Sequence, residues 1–199
     1  MKTIGVTGGI GAGKSTVLSI LEQEHGACVM QADLIGHEVM MPGGSCYEAV
    51  LALFGPDVLK EDKTIDRKKV SDVVFHVAEM REKLNSIIHP AVKKEILRRL
   101  FEERSRGRLL CVVEAALLLE DNYQDFLDEV WYVYAETEIR ILRLMESRGY
   151  TREKCESVIR SQADESFYRA HADLVIDNGR SLAFTRSQIT ERLNHHETM

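Results

Sequence analysis

Residues 8–15 read Gly8-Gly9-Ile10-Gly11-Ala12-Gly13-Lys14-Ser15, which has the form G-x-x-x-x-G-K-[ST] of a phosphate-binding loop. The run before it, Lys2–Thr7, predicts a short buried strand, and Ser15–Glu24 after it predicts a helix. Glycines let backbone N–H groups turn towards an anion, and the positive end of the helix dipole points at the same place. The stretch therefore predicts the triphosphate site of a nucleotide-dependent enzyme.

The residues at the end of this loop and the start of the helix have predicted roles in binding ATP. Lys14 supplies a mobile positive charge for the β- and γ-phosphates, and Ser15 offers a hydroxyl to Mg²⁺. The competing interpretation is a glycine-rich turn with an incidental lysine, which the flanking strand and helix disfavour. The predicted ATP-binding residues of this stretch are Gly11, Ala12, Gly13, Lys14, Ser15 and Thr16.

Composition narrows the class of protein. Of the 199 residues, 44% are hydrophobic and 29% are charged, and the net charge of -6 argues against a dedicated nucleic-acid binder. We find no signal peptide and no apolar run near the length of a membrane span, so we expect no membrane contact and a cytoplasmic enzyme. The four cysteines are widely spaced and are expected to be reduced: Cys28, Cys46, Cys111 and Cys155.

Five short apolar strands alternate with helices along the chain. This alternation predicts an α/β fold with three layers, α/β/α, around a parallel sheet that is covered on both faces. Residues 66–106 carry a helical pattern and no strand signal, which predicts an inserted helical subdomain. The predicted strands are Lys2–Thr7, Ala27–Met30, Leu109–Val113, Val130–Tyr134 and Leu174–Ile176.

Several local predictions can be compared with the structure. Ser45 is a candidate cap for the helix that follows it, and Pro90 predicts a helix end or kink near His89. We also expect a charged helix over Arg152–Ala163, and an exposed helix end at His195 and His196.

Ligands of parallel α/β sheets bind outside the carboxyl ends of the strands. Asp33 follows the second strand, so it is a candidate general base for an attacking hydroxyl, or equally the N-cap of a helix that begins at Leu34. Glu114 ends the third strand, where it is either a Mg²⁺ partner or an acid neutralised by Lys14. Asp177 and Asn178 follow the last strand.

Residues 33–36 match D-x-x-G, which invites comparison with GTPases. The spacing from the phosphate loop is too short for that assignment, and the sequence contains no N-K-x-D segment to recognise guanine. The GTPase interpretation is therefore rejected.

Arginines on one predicted helix, from Thr137 to about Glu146, are candidates for contacting the transferred phosphate. Arg140 and Arg143 are three residues apart and share a face, and Gly149 after them suits the hinge of a mobile lid. The alternative is a solvated basic face paired with the acids Glu136, Glu138 and Glu146.

These features together resemble the dephospho-coenzyme A kinase family, and the resemblance runs nearly end to end. Its most distinctive element is Leu84-Asn85 with His89-Pro90. Departures are Gln31 for the first acid of a D-A-D segment, Glu114 for an aspartate, and Arg140 for a glutamine. The other matching stretches are Ile4–Thr16, Ala32-Asp33, Phe54-Gly55, Ile65–Arg67, Leu117–Glu120, Gln162 and Ala172–Asn178.

The resemblance implies an architecture like that of nucleoside-monophosphate kinases, in a single domain over residues 1–199. The core would comprise about 1–33 and 108–199, a helical acceptor-binding insert about 34–107, and a helical lid about 140–170. The implied reaction is the transfer of the γ-phosphate of ATP to the ribose 3′-hydroxyl of dephospho-CoA, giving ADP and coenzyme A.

The residue patterns and the resemblance together give the expected roles of individual residues. The catalytic residues would be Asp33, Lys14, Arg140 and Arg143; Asn178 would bind ATP; Asp33, Arg67, His89 and Pro90 would bind the acceptor; Ser15 and Glu114 would bind Mg²⁺. We expect a monomer or a weak homo-oligomer that binds no nucleic acid. The alternatives are another P-loop kinase acting on a nucleotide or a small alcohol, and an NTP-driven regulatory switch, for which no base-recognition motif is present.

Overall fold

The strand that precedes the phosphate loop is the central strand of a five-stranded parallel sheet in the computed structural model, which describes residues 1–194. The strand order is β2-β3-β1-β4-β5, with β1 paired in parallel to both β3 and β4. The prediction for His195 and His196 lies outside the described residues. The strands are β1 (Lys2–Thr7), β2 (Cys28–Gln31), β3 (Leu110–Glu114), β4 (Glu129–Tyr134) and β5 (Leu174–Asp177).

Nine helices of the described chain alternate with these strands or fall between β2 and β3. The α/β class predicted from the alternation is confirmed. The helices are α1 (Lys14–His25), α2 (Ala32–Val39), α3 (Tyr47–Phe54), α4 (Arg67–His76), α5 (Ala78–Ser105), α6 (Thr137–Arg148), α7 (Arg152–Arg160), α8 (Glu165–His171) and α9 (Leu182–Asn194).

The chain divides into two compact units. Unit 1 comprises Met1–Val29 and the residues from Arg106 onward, and unit 2 comprises Met30–Ser105. Among residues 1–194, we find no helix with the length and apolar character needed to span a bilayer.

The core of unit 1 forms where apolar residues of the sheet pack against helices. All five residues of β3 are buried, as expected for a strand covered on both faces. In α1 the buried residues include Val17 and Leu21, which pack in one cluster with Ile4, Val6 and Trp131 of the sheet.

A buried carboxylate stabilises the start of β4 in unit 1. Glu129 accepts a hydrogen bond from Trp131 Nε1 at 2.7 Å and forms ion pairs with Lys2 at 2.9 Å and Arg192 at 3.2 Å. Burial alone would raise the pKa of Glu129, but these donors outweigh it and lower that pKa. The carboxylate is therefore a structural element of the sheet, at the opposite end of β4 from Tyr134.

Unit 2 is built around the long helix α5. Gly36 of α2 faces Ile88 and Val92 of α5, which places α2 directly on that helix. Gly36 is thus a packing residue within a helix, and residues 33–36 form no switch loop.

Three local predictions differ from the structure. The helix end expected near His89 is wrong: Pro90 lies inside α5, which continues to Ser105, because Val92, Ile96 and Leu100 beyond it are buried and stabilise the later turns. The alternative of a kink at this position stays a prediction. The N-cap of α3 is Cys46 rather than Ser45. The charged helix α7 ends at Arg160, three residues before the predicted end, and the short helix α8 that follows was not anticipated.

Candidate active site

The phosphate loop leads from β1 straight into α1. Gly13 is the N-cap of α1 and has a left-handed φ of 88°. A Cβ on Gly13 would lie 2.2 Å from Asn178 Nδ2, so only glycine suits this position. The first N–H groups of a helix lack intrahelical partners, so those of Lys14 and Ser15 suit an anion.

Two other residues predicted to bind ATP use their backbone N–H groups inside the loop. Ala12 donates to the carbonyl oxygen of Gly9 at 3.1 Å, and Thr16 donates to that of Gly13 at 3.0 Å. These bonds tighten the loop and the first turn of α1. In this conformation Ala12 and Thr16 therefore contribute to the shape of the phosphate loop.

Lys14 lies between a loop carbonyl and a strand-end acid. Its Nζ donates to the carbonyl oxygen of Gly8 at 3.0 Å and is 3.5 Å from Glu114 Oε1. Glu114 is buried, and it is placed beside the loop because it pairs in register with Val6 across β1 and β3. The geometry brings together the lysine and the acid that the sequence singled out.

Arg143 and Asn178 hold the phosphate loop through hydrogen bonds to its carbonyl oxygens. Asn178 Nδ2 donates to Ala12 O at 2.9 Å and to Gly13 O at 3.3 Å. Arg143 donates from Nη1 to Ala12 O at 3.2 Å and from Nη2 to Asn178 O at 2.8 Å. Because C=O and the next N–H point in opposite directions across a trans peptide, the N–H groups of Gly13 and Lys14 face away from these side chains.

The contacts of Arg140 and Arg143 overturn the alternative of a solvated basic face. Arg140 donates from Nε to Ile10 O at 2.8 Å, and burial lowers its pKa, partly offset by nearby Tyr132, Tyr168 and Glu165. Glu138, one of the three acids proposed as partners, instead pairs with Arg152 at 2.9 Å. Arg140 and Arg143 are thus both bonded to the phosphate loop or to its support.

Sequence reasoning assigned no role at the loop to two residues that support it. Thr185 of α9 is fully buried and donates to Asn178 Oδ1 at 2.9 Å, which fixes the direction in which the Asn178 amide points. Gln162, singled out only as part of a family pattern, also contacts the loop. Neither contact has a local sequence signal, because the partners are seven and 152 residues apart.

Asp33 lies in unit 2, in the first turn of α2. The helix begins at Ala32 and its N-cap is Gln31, so the alternative that Asp33 caps a helix beginning at Leu34 is wrong. Its side chain is exposed, one helical turn before His37. The residue thus has no capping role that would explain an acid at this position.

His37 connects Asp33 to Arg67, the first residue of α4. Arg67 Nη1 lies 3.2 Å from His37 Nδ1. A guanidinium has only donors, so Nδ1 must accept, which requires the neutral imidazole with its proton on Nε2. His37 was not among the predicted site residues. The predicted acceptor residues His89, partly buried, and Pro90, exposed, lie together on α5.

We expect His37 to make unit 2 less stable in acid. Burial, and next the charge of Arg67, lower the pKa of His37 below 6.5, while Asp33 opposes the shift. Below about pH 6.5 the unfolded chain therefore binds a proton that the folded chain does not, so stability is complete above this pH and falls as the pH approaches the lowered pKa. Chemical denaturation at pH 7.5, 6.0 and 5.0 should show a shallower decline for His37→Asn than for the wild type. If the free energy of unfolding falls equally in the wild type and in His37→Asn, the lowered pKa of His37 is contradicted.

Among residues 1–194 there is no group of three or more His, Cys, Asp or Glu side chains that could hold a metal ion. This result is compatible with Mg²⁺, which usually takes one or two protein ligands and completes its shell with phosphate oxygens and water. Ser15 and Glu114 supply a hydroxyl and a carboxylate at the loop.

A family model and a curated relative identify the same family. A family model described as Dephospho-CoA kinase matches residues 2–183. The chain is 41% identical over 186 residues to the dephospho-CoA kinase of Carboxydothermus hydrogenoformans, covering 94% of this chain and 90% of that protein.

Two solved structures match the chain over nearly its full length. The structure of TT1252 from Thermus thermophilus matches with a TM-score of 0.81 and 30% identity, covering 98% of this chain and 97% of that one. The dephospho-CoA kinase from Campylobacter jejuni matches with a TM-score of 0.74 and 26% identity, with both chains fully covered.

Proposed function

The chain belongs to the dephospho-CoA kinase family, and on that premise we propose that it phosphorylates the ribose 3′-hydroxyl of dephospho-CoA with ATP. The products are ADP and coenzyme A, and the reaction is the final step of coenzyme A biosynthesis. The observation that carries this proposal is the family match over residues 2–183, which includes the phosphate loop and the segment with His89 and Pro90.

The donor half of the reaction is assigned to unit 1. N–H groups of Gly11, Gly13 and Lys14 surround the phosphates, and Lys14 Nζ exchanges its contact with Gly8 O for oxygens of the β- and γ-phosphates. The contacts that hold the loop carbonyls away from the ligand support this assignment. Asn178 contributes to ATP binding by maintaining the loop.

Mg²⁺ is proposed as the metal that accompanies ATP. Ser15 and Glu114 would hold it: Ser15 is exposed in the first turn of α1, and Glu114 lies at the end of β3. Held by these two residues, the metal would supply neutralisation of charge on the β- and γ-phosphate oxygens. The Glu114 carboxylate, 3.5 Å from Lys14 Nζ, also orients the lysine at the phosphates.

The acceptor half is assigned to unit 2. Asp33 removes the proton of the attacking 3′-hydroxyl, and Arg67, held by His37, binds an anionic part of dephospho-CoA. His89 and Pro90 complete the acceptor site. We retain the proposed division into a core (about 1–33 and 108–199), a helical insert (about 34–107) and a lid (about 140–170). Arg140 and Arg143 belong to this lid and act on the donor side.

We further propose that the enzyme works in the cytoplasm as a monomer or weak homo-oligomer, without binding nucleic acid. The net charge of -6 and the four reduced cysteines support this proposal.

A coupled assay of ADP release over a panel of acceptors tests the proposed function. We expect turnover with dephospho-CoA and Mg²⁺-ATP, and turnover at least 10²-fold slower with AMP, CMP or shikimate, because those acceptors lack the groups that the site is built to bind. Product identity is checked by mass spectrometry of coenzyme A. No ADP release with dephospho-CoA, alongside rapid use of another acceptor, would reassign the protein to a different P-loop kinase.

A further inference from the structure

Ile10, in the middle of the phosphate loop, is held by two side chains from distant parts of unit 1. Its N–H donates to Gln162 Oε1 at 2.9 Å, and its carbonyl oxygen accepts from Arg140 Nε at 2.8 Å. Arg140 Nη2 also donates to Gln162 Oε1 at 2.7 Å, which links the two side chains to each other. We call Arg140 and Gln162 the Ile10 clamp.

The clamp fixes two successive peptide planes. The N–H of Ile10 belongs to the peptide that joins it to Gly9, and its carbonyl belongs to the peptide that joins it to Gly11. Because a peptide is planar and trans, a carbonyl of Ile10 held towards Arg140 directs the N–H of Gly11 the opposite way. The clamp therefore sets the direction of the first N–H group that is expected to bind phosphate.

Close packing over Gly9 restricts the clamp further. A Cβ on Gly9 would lie 2.3 Å from Arg140 Nη2, so the guanidinium rests directly on the backbone of the loop. Arg140 is partly buried, whereas Gln162 follows α7 in the turn after Ser161. Two of the three guanidinium nitrogens thus donate to the loop or to the other clamp residue.

We propose that Arg140 and Gln162 are positioning residues that preorganise the loop for the triphosphate, and that Arg140 acts through Ile10 rather than by touching the γ-phosphate. This inference rests on the proposed function, because it takes ATP as the ligand of the loop. If Arg140 instead touched phosphate directly, Arg140→Met would weaken ATP binding far more than Gln162→Met, because Gln162 would act only by holding Arg140. The clamp gives both residues the same part, so their effects are coupled.

A double-mutant cycle tests the coupling. The variants are Arg140→Met, Gln162→Met and the double variant, since methionine keeps an unbranched side chain of comparable length and removes the hydrogen bonds. Calorimetric titration with Mg²⁺-ATP should show a Kd about tenfold higher for each single variant, the scale of one or two lost hydrogen bonds. The double variant should bind no more than about twofold more weakly than the weaker single variant.

The kinetic readout separates positioning from loss of folded protein. We expect KM for ATP to rise in parallel with Kd, while KM for dephospho-CoA changes less than about twofold. The matched control is Arg160→Met on α7, since Arg160 is exposed and contacts only Glu156, at 3.6 Å, in the described ion pairs. The control should bind ATP as the wild type does. If Arg140→Met fails to fold, Gln162→Met alone decides the result.

Wild-type ATP affinity in Gln162→Met, or losses that multiply to about 10²-fold in the double variant, would overturn the clamp. The titration needs no acceptor, so this outcome is distinct from a failure of the proposed function. A protein that binds ATP and shows the coupling but does not phosphorylate dephospho-CoA would disprove the acceptor and leave the clamp in place.

Discussion

Lys14→Met should reduce kcat/KM for ATP by at least 10²–10³-fold, the largest effect of any single substitution considered for this chain. Removing one preorganised group that stabilises transition-state charge costs about this much in known enzymes, and Lys14 carries a full charge. Steady-state kinetics with varied Mg²⁺-ATP measures the loss. Calorimetry should show weaker ATP binding as well, because Lys14 contacts the ground-state phosphates too.

The structure indicates how to separate this effect from a change in stability. Lys14→Met removes the ion pair to Glu114, a buried acid, so the ligand-free variant is expected to melt at a lower temperature. The double variant Lys14→Met with Glu114→Gln should recover stability without recovering activity. Lys60→Met, at an exposed lysine of unit 2, is the matched control and should keep wild-type kinetics. Unchanged kinetics in Lys14→Met would remove the residue from the donor site.

Local sequence patterns predicted the parts of the fold that depend on neighbouring residues. The strand Lys2–Thr7 has the predicted bounds, and the helix after the loop differs by one residue at each end. Apolar runs determine such elements directly, because the burial of a parallel strand on both faces leaves little freedom in composition. The fold class and the family followed from these elements and the motifs among them, and both are confirmed.

Predictions failed where distant packing decides local structure. Pro90 would usually end a helix, yet α5 continues because the buried residues beyond it stabilise the later turns. Asp33 suited an N-cap by residue type, but α2 begins at Ala32 and places it within the first turn. Propensities describe a residue and its neighbours, and at Pro90 tertiary contacts override them.

The roles of the arginines show the same limit within the candidate site. The spacing of Arg140 and Arg143 predicted a shared face near phosphate, which remains a prediction, but no pattern could reveal which groups they bond. Arg140 reaches Ile10 across 130 positions, and Arg143 reaches Ala12 across 131. Because both arginines contact loop carbonyls, each can affect ATP binding either through the loop or by touching phosphate directly. The Ile10 clamp experiment distinguishes these two routes for Arg140.

Asp33→Asn should lower kcat by at least 10²-fold while KM for ATP stays within about twofold of the wild type. General-base catalysis contributes about 10²–10⁴-fold, and an amide of the same shape cannot accept the hydroxyl proton. Asp33 is exposed in the first turn of α2 and does not cap the helix, so the fold should survive the change. Steady-state kinetics with saturating dephospho-CoA and calorimetry with Mg²⁺-ATP measure the two quantities.

The control for Asp33→Asn removes a comparable acid that has no assigned role. Glu48 is exposed in the first turn of α3, also in unit 2, so Glu48→Gln makes the same change at a helix start. We expect Glu48→Gln to keep the wild-type kcat, because charge at a helix N-terminus affects stability only modestly. Asp33→Asn also removes a charge that favours protonated His37, so the pKa of His37, followed by NMR, should fall further in this variant. A fall in that pKa without any loss of kcat would show that Asp33 influences His37 and the contact with Arg67 but does not serve as the base.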